Sequence, residues 1–289
     1  MIAQLRIVPT ILAAALTLSA STLTAQRYDD DYDVDGAETC RAIWREFGRT
    51  MSGRPRAVFC EVREIGTRPR GSLIDVDGGM RNGVRITGSA RNDIRVRLVV
   101  QAQGENVEDA RGLARQASLS LTSTPWRAML PDFEDVRPRG RRFVAATIVI
   151  DAPVESNVTA QVEHAPLDIE NVRGRIDVRA EHGPLSLRDI GGDVRARVAH
   201  GPLGISLSGN KWDGAGLDAE ASHGPLTLRL PREYAAELEI GAENGPMNSD
   251  FPLTLTRFDR SFIQTRLGAG GPRIRAIAQH GPLSLRMER

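Results

Sequence analysis

Lysine is nearly missing from this chain: Lys211 stands alone among 38 basic residues, and the rest are arginines. Arginine suits carboxylate, phosphate or sulfate contacts, and it also serves as a solvated residue on a sheet face. No excess of either charge exists, with 38 basic residues against 37 acidic ones and a net charge of +1. Nucleic acid as the main partner is excluded on that balance, because it demands a clear basic excess or patch. Aromatic residues make up only 4 %, so the interior must be filled by Val, Ile, Leu and Ala. Beyond the first residues there is no apolar run long enough for a membrane helix.

The one early run reads as an export signal. Arg6 gives a positive start, Ile7 to Leu18 an apolar stretch, and Leu23-Thr24-Ala25 a cleavage site before Gln26. Residues 1–25 are therefore taken as a signal peptide and the mature chain as exported to the periplasm, the cell surface or the medium. Cysteine is limited to Cys40 and Cys60. In an oxidising compartment they are expected to pair, closing a loop worth roughly 3 kcal/mol. Two ligands make a poor zinc site, since structural zinc takes four.

Residues 26–70 read as an acidic lead-in followed by the disulfide segment. Within it Asp31, Asp33 and Asp35-Gly36 match the first half of a calcium loop, but the twelfth position holds Ala42 instead of glutamate. A short helix is expected around residues 42–47. From Leu73 onward apolar and polar residues alternate, the period-two pattern of half-buried strands. One helix interrupts them: Asn106 can cap its first turn, with Asp109 three residues on, and Val107, Ala110, Leu113, Ala114 and Ala117 share a face.

The strongest signal is a repeated phrase. All five histidines begin it: His164-Ala-Pro-Leu, then His182, His200, His223 and His280, each followed by Gly-Pro-Leu. Asn244-Gly-Pro-Met is a sixth copy. Histidine copies lie 18, 18 and 23 residues apart, Asn244 follows after 21, and His280 after a further 36, two lengths of 18. A fixed period of this size marks stacked layers that cannot bury their apolar faces alone. In each copy Ile176, Val178 and Ala180, or their equivalents, face inward on one strand, and Leu185 and Leu187 on the next. Histidine and asparagine are among the residues enriched at positive φ, which suits a left-handed turn before glycine. The expected fold is all-β: a β-solenoid (β-helix) of short stacked strands over residues 71–289, with one short helix. Its rival is a β-sandwich of hairpins, since His-Gly and Asn-Gly also suit tight turns.

Several segments resemble a known family. Asn171-Val-Arg-Gly-Arg-Ile-Asp-Val-Arg, the Gly-Pro-Leu turns, Gly191-Gly-Asp-Val-Arg-Ala-Arg and Trp212-Asp-Gly-Ala-Gly-Leu look like the bacterial exported putative-adhesin family, across Leu73 to Arg289. Cys40 and Cys60-Glu-Val-Arg-Glu are similar to the front of some exported members. The resemblance implies a β-helix domain of unknown function and a surface or scaffold role. It departs at the turn, where the family carries asparagine and this chain mostly histidine.

Stacked copies would align His164, His182 and His200 in a ladder, with His223 joining. A shared zinc needs ligand nitrogens only ~3.3 Å apart, closer than strands ~4.8 Å apart place them. No metal or other cofactor is therefore expected. On charging, adjacent imidazoliums in water would repel by roughly 0.9 kcal/mol. Enzyme signatures are missing: Asp168, Asp177, Asp189, Asp193 and Asp218 are scattered, and Ser208-Gly-Asn-Lys211 lies in a Gly-rich loop where a catalytic copy should open a helix. The expected function is non-enzymatic: adhesion, partner binding or scaffolding, with an unknown protein or cell-surface glycan as partner. The alternative is a polysaccharide-active β-helix enzyme, a lyase or glycosidase. Trp126 and Trp212, in loops around Pro125–Pro138 and Asn210–Gly216, are the expected contact points; the alternative is that both rings cover the ends of the core, the commoner fate of a large ring.

Overall fold

The computed structural model describes residue 40 and residues 57–129, 142–252, 255–258 and 262–288. All belong to one compact unit spanning Asp33–Arg289. The export signal, the calcium-like loop and the helix expected at 42–47 lie outside the described residues, as do Pro131 and Pro138.

In chain order the elements begin with β1 (Ala57–Pro69), β2 (Ile74–Asp77), β3 (Gly83–Ser89) and β4 (Asp93–Gly104), followed by helix α1 (Val107–Gln116). Next come β5 (Ser118–Ser120), β6 (Trp126–Met129), β7 (Phe143–Pro153), β8 (Val158–Val162) and β9 (Leu167–Glu170). The repeat supplies β10 (Arg173–Ala180), β11 (Leu185–Arg188), β12 (Gly191–His200), β13 (Leu203–Ser206), β14 (Gly216–His223) and β15 (Leu226–Leu230). The chain ends with β16 (Ala236–Ala242), β17 (Met247–Ser249), β18 (Leu255–Phe258), β19 (Phe262–Leu267), β20 (Arg273–Ala278) and β21 (Leu283–Met287).

These strands collect in two mixed sheets. One has ten strands in the order β1-β4-β7-β3-β9-β11-β13-β15-β21-β17; the other has eleven, β18-β19-β16-β20-β14-β12-β10-β8-β2-β6-β5. This corrects the expected β-solenoid: the strands form two large mixed sheets, not one closed coil. The physical reason lies outside the period. Long β1, β4 and β7 pair antiparallel at one end of the first sheet. In the second, β16, β19 and β18 pair antiparallel at one end and β5 with β6 at the other. A sequence period reports local register and says nothing of how the flanking strands extend a sheet. The hairpin sandwich fails too, because each His-Gly-Pro-Leu turn carries the chain from one sheet to the other. The turn after Ala180, for instance, leaves β10 in the second sheet and enters β11 in the first.

Within the repeat the pairing is parallel and in register. Leu185 sits opposite Leu167 and Leu203, and Val178 opposite Ala160 and Ala196. Side chains alternate inward and outward along each strand, so like apolar residues stack on like. Val, Ile, Leu and Ala from both sheets and from α1 form one cluster. The order of layers is not the order of the chain. β20 and β21, from the last residues, insert between β14 and β16 in one sheet and between β15 and β17 in the other.

The helix follows its capping signal, but Val107, expected on its apolar face, is exposed. Asn106 accepts a hydrogen bond from the Asp109 N–H at 2.9 Å, and Asp109 accepts from the Glu105 N–H at 3.0 Å. Ala110, Leu113 and Ala114 are buried against the sheet. Cys40 and Cys60 form a disulfide. Cys60 lies on β1, which pairs along its length with β4, so the disulfide segment and the later strands β4 and β7 share the first sheet.

Candidate functional site

Each residue of the repeated phrase has a separate physical task. The leucine points inward: Leu167, Leu185, Leu203, Leu226 and Leu283 are all fully buried. The proline donates no backbone hydrogen bond, and none is needed. Its carbonyl instead accepts from the leucine N–H of the neighbouring layer, as in Leu185 to Pro202 at 3.0 Å and Leu203 to Pro225 at 2.9 Å. The glycine permits close approach of layers. A Cβ on Gly183 would lie 2.0 Å from the Ala165 carbonyl oxygen, and one on Gly201 would lie 2.6 Å from that of Gly183. The first residue of the phrase is left facing solvent, and all five histidines and Asn244 are exposed.

The five imidazoles stack in one continuous row. Ring centroids are 4.6 Å apart for His164 and His182, then 4.8 Å for His182–His200, His200–His223 and His223–His280, with planes within 8° of parallel. His280 follows His223 because β21 is inserted next to β15. Asn244 comes last, beyond His280, its N–H bonded to the Gln279 carbonyl. Parallel rings direct their nitrogen lone pairs along parallel planes, so no two can converge on one ion without turning. Among the described residues no group of three or more His, Cys, Asp or Glu is placed to hold a metal.

The histidines do not take the left-handed conformation expected of them. Outside glycine, positive φ occurs among the described residues at Asn171 (53°) and Asp189 (50°). Both sit at the other corner of their layers, after β9 and β11, and they are 18 residues apart. Asparagine and aspartate tolerate this region because a short polar side chain bonds locally. Their shared spacing was the signal for this corner.

The outward faces carry rows of opposite charge. Across the second sheet Asp177, Arg195, Asp218, Arg275 and Glu239 lie side by side. Arg275 donates to Asp218 at 2.8 Å and to Glu239 at 3.2 Å, and Arg197 reaches Asp218 at 3.2 Å and Glu220 at 3.1 Å. Burial pushes the Asp218 carboxyl up, but hydrogen bonds and charge from Arg275 and Arg197 outweigh it and hold the group below its usual range. The first sheet has Arg188 on Glu170 at 2.9 Å and Arg85 near Asp168 at 3.6 Å. Asp177 is 3.6 Å from Arg179. The scattered aspartates thus fall into charge rows and corners and are not gathered in one centre.

A recess of about 330 Å³ beside the histidine row is lined by Asp77, Glu163, Arg179, Glu181 and Arg197, among others. Asp77 is nearly buried, accepting from the Gly79 N–H at 2.7 Å, from Gln161 at 3.0 Å and from Arg127. No repeat marks it in the sequence. Neither expected contact tryptophan is on the surface. Trp212 is 2 % exposed, and its indole N–H donates to the Gly192 carbonyl at 3.1 Å. Trp126 is 5 % exposed, with the Arg68 guanidinium 5.9 Å from its ring centre. Both large rings contribute to the apolar cluster, which corrects their assignment as partner contacts. Ser208 and Lys211 remain in the loop between β13 and β14, with no helix opening there.

No protein-family model matches the chain, and no curated protein does. Solved structures resemble it remotely. A putative cell adhesion protein from Clostridium sporogenes matches with a TM-score of 0.43 at 11 % identity, covering 80 % of this chain and 100 % of that one. A putative adhesin from Bacteroides fragilis has a TM-score of 0.33 at 10 % identity, covering 80 % and 97 %. A putative lipid binding protein from Parabacteroides distasonis has a TM-score of 0.26 at 9 % identity, covering 78 % and 96 %.

Proposed function

We propose that this chain is an exported envelope or surface protein that acts by binding a partner and catalyses no reaction. The observation that carries this reading is the ordering of outward side chains into straight rows, one residue per layer, on sheets whose backbone fixes their spacing. A surface ordered before it meets its partner loses little entropy on binding. One carboxylate on it favours the same reading. Asp218 is tied to arginine and held charged, whereas a general acid must keep its proton near the working pH. The Cys40–Cys60 disulfide suits an oxidising compartment. Such a face fits a protein or a cell-surface glycan. The test is retention of the purified protein on panels of immobilised envelope glycans and proteins, with each soluble glycan assayed for breakdown in parallel. Saturable binding with the glycan recovered intact is expected; new reducing ends or unsaturated sugars would contradict it.

A further inference from the structure

We infer that the histidine row, with the proline and hydroxyl rows beside it, is a track for a linear acidic polysaccharide, engaged when the imidazoles are protonated. The inference rests on the binding reading above and adds a site and a ligand class to it. Three parallel rows carry it. The first is the row of stacked, exposed imidazoles at 4.6–4.8 Å steps. The second is the adjoining row of exposed prolines, including Pro184, Pro202 and Pro225, whose rings give apolar faces for the C–H side of a sugar. In the third, two residues on, Ser186, Thr227 and Ser284 offer hydroxyls on the outward face, with Gly204 leaving a flat step between. The layers of His182, His223 and His280 therefore present the same set, imidazole, apolar ring and hydroxyl, while the His200 layer has Gly204 and the His164 layer Asp168 in the third row. A polymer with one carboxylate per sugar, lying along the stack, meets that set repeatedly.

Charge sets the conditions. Histidine is the side chain whose ordinary titration spans pH 5 to 8, and a row of like charges at this spacing repels itself unless an anion lies along it. The groups around the row are mixed. Glu163 and Glu181 precede the first two histidines, with a Glu181 carboxylate oxygen 3.9 Å from the His182 Nδ1. Glu243 precedes Asn244 at the far end, and Arg81 follows the Met80 carbonyl that receives the His164 N–H. Asp77, Arg179 and Arg197 lie on the second-sheet side, Arg85 and Asp168 on the first. His200, His223 and His280 follow uncharged Ala199, Ser222 and Gln279, so the polyanion is held mainly there. Arg188 and Arg197 are paired with Glu170 and Asp218, so the charge offered to an anion along the row comes from the imidazoles.

The test is isothermal titration calorimetry of the full chain with polygalacturonate, near pH 5.5 and near pH 8, at low ionic strength. The variant is H200N/H223N/H280N; Asn244 already occupies the equivalent turn, and circular dichroism checks its fold. Affinity is expected to rise at least about tenfold on acidification, and the variant to lose that gain. Equal affinity at both pH values, a gain retained by the variant, or equally tight binding of polyglutamate or duplex DNA would each overturn the track. Unsaturated uronide release would instead overturn the non-catalytic reading, leaving a pH-dependent, histidine-dependent affinity intact. The two failures are thereby distinct.

Discussion

Replacing Gly183 with alanine isolates the demand for close approach between layers. A Cβ there would stand 2.0 Å from the Ala165 carbonyl oxygen and 2.7 Å from its carbon. Both atoms are backbone, and the strands that hold them are locked by ladder hydrogen bonds such as Leu167 to Pro184 at 3.0 Å. No side chain can rotate away, so the layers must separate by more than an ångström or the turn must distort. Overpacking of this kind costs about 1–3 kcal/mol, and here the upper part of that range applies because backbone must move. Gly204 is the matched control. It lies on the outward face of β13 in the same stack, and a Cβ there meets nothing within 4 Å. Gly204→Ala should be neutral or stabilise by up to about 1 kcal/mol, by reducing the freedom of the unfolded chain. Urea unfolding followed by circular dichroism reads both variants as shifts in midpoint at constant slope. Equal midpoints for the two would refute the argument that glycine is required by contact between layers.

Other perturbations act on the same packing. Leu187→Ala removes a fully buried side chain between the sheets and should cost about 2–5 kcal/mol by the same unfolding assay. The Asp218 carboxyl is held below its usual range in the folded protein, so its contribution is present above the ordinary carboxylate range and is lost as pH falls through its folded value. Asp218→Asn should accordingly flatten the acid limb of a stability–pH curve. Removing both disulfide cysteines, as C40A/C60A, should lower stability by roughly 3 kcal/mol, measured against the oxidised wild type.

The legible part of this fold is its repeat. Leu185 and Leu203 announce their inward face and mutual register because the same phrase recurs 18 residues apart, and the structure places them opposite each other. The period does not carry the order of layers. The 36-residue step to His280 reads as a continuation, yet β21 sits between the strands that adjoin His223 and Asn244, because a strand pairs with whichever open edge it completes. The antiparallel flanks formed by β1, β4 and β7 carry no repeat at all, and they make the first sheet mixed. A left-handed corner at Asn171 and Asp189 is not among the expectations from sequence, although both are short polar residues 18 apart. The histidine turn pointed to a left-handed residue that the backbone places elsewhere. Trp212 lies in a Gly-rich loop yet folds inward, since a neighbouring carbonyl at Gly192 satisfies its one polar group.

Paired cysteine substitutions along the histidine row test the stacking and its unexpected order together. Adjacent in-register strands lie ~4.8 Å apart, within the Cα separation a disulfide accepts; two layers apart exceeds it. H223C/H280C should therefore oxidise to an intramolecular crosslink in the native protein, seen by mass spectrometry, while H223C/N244C should not. A crosslink in the second pair and none in the first would show that the layers keep to chain order, and would contradict the architecture described above.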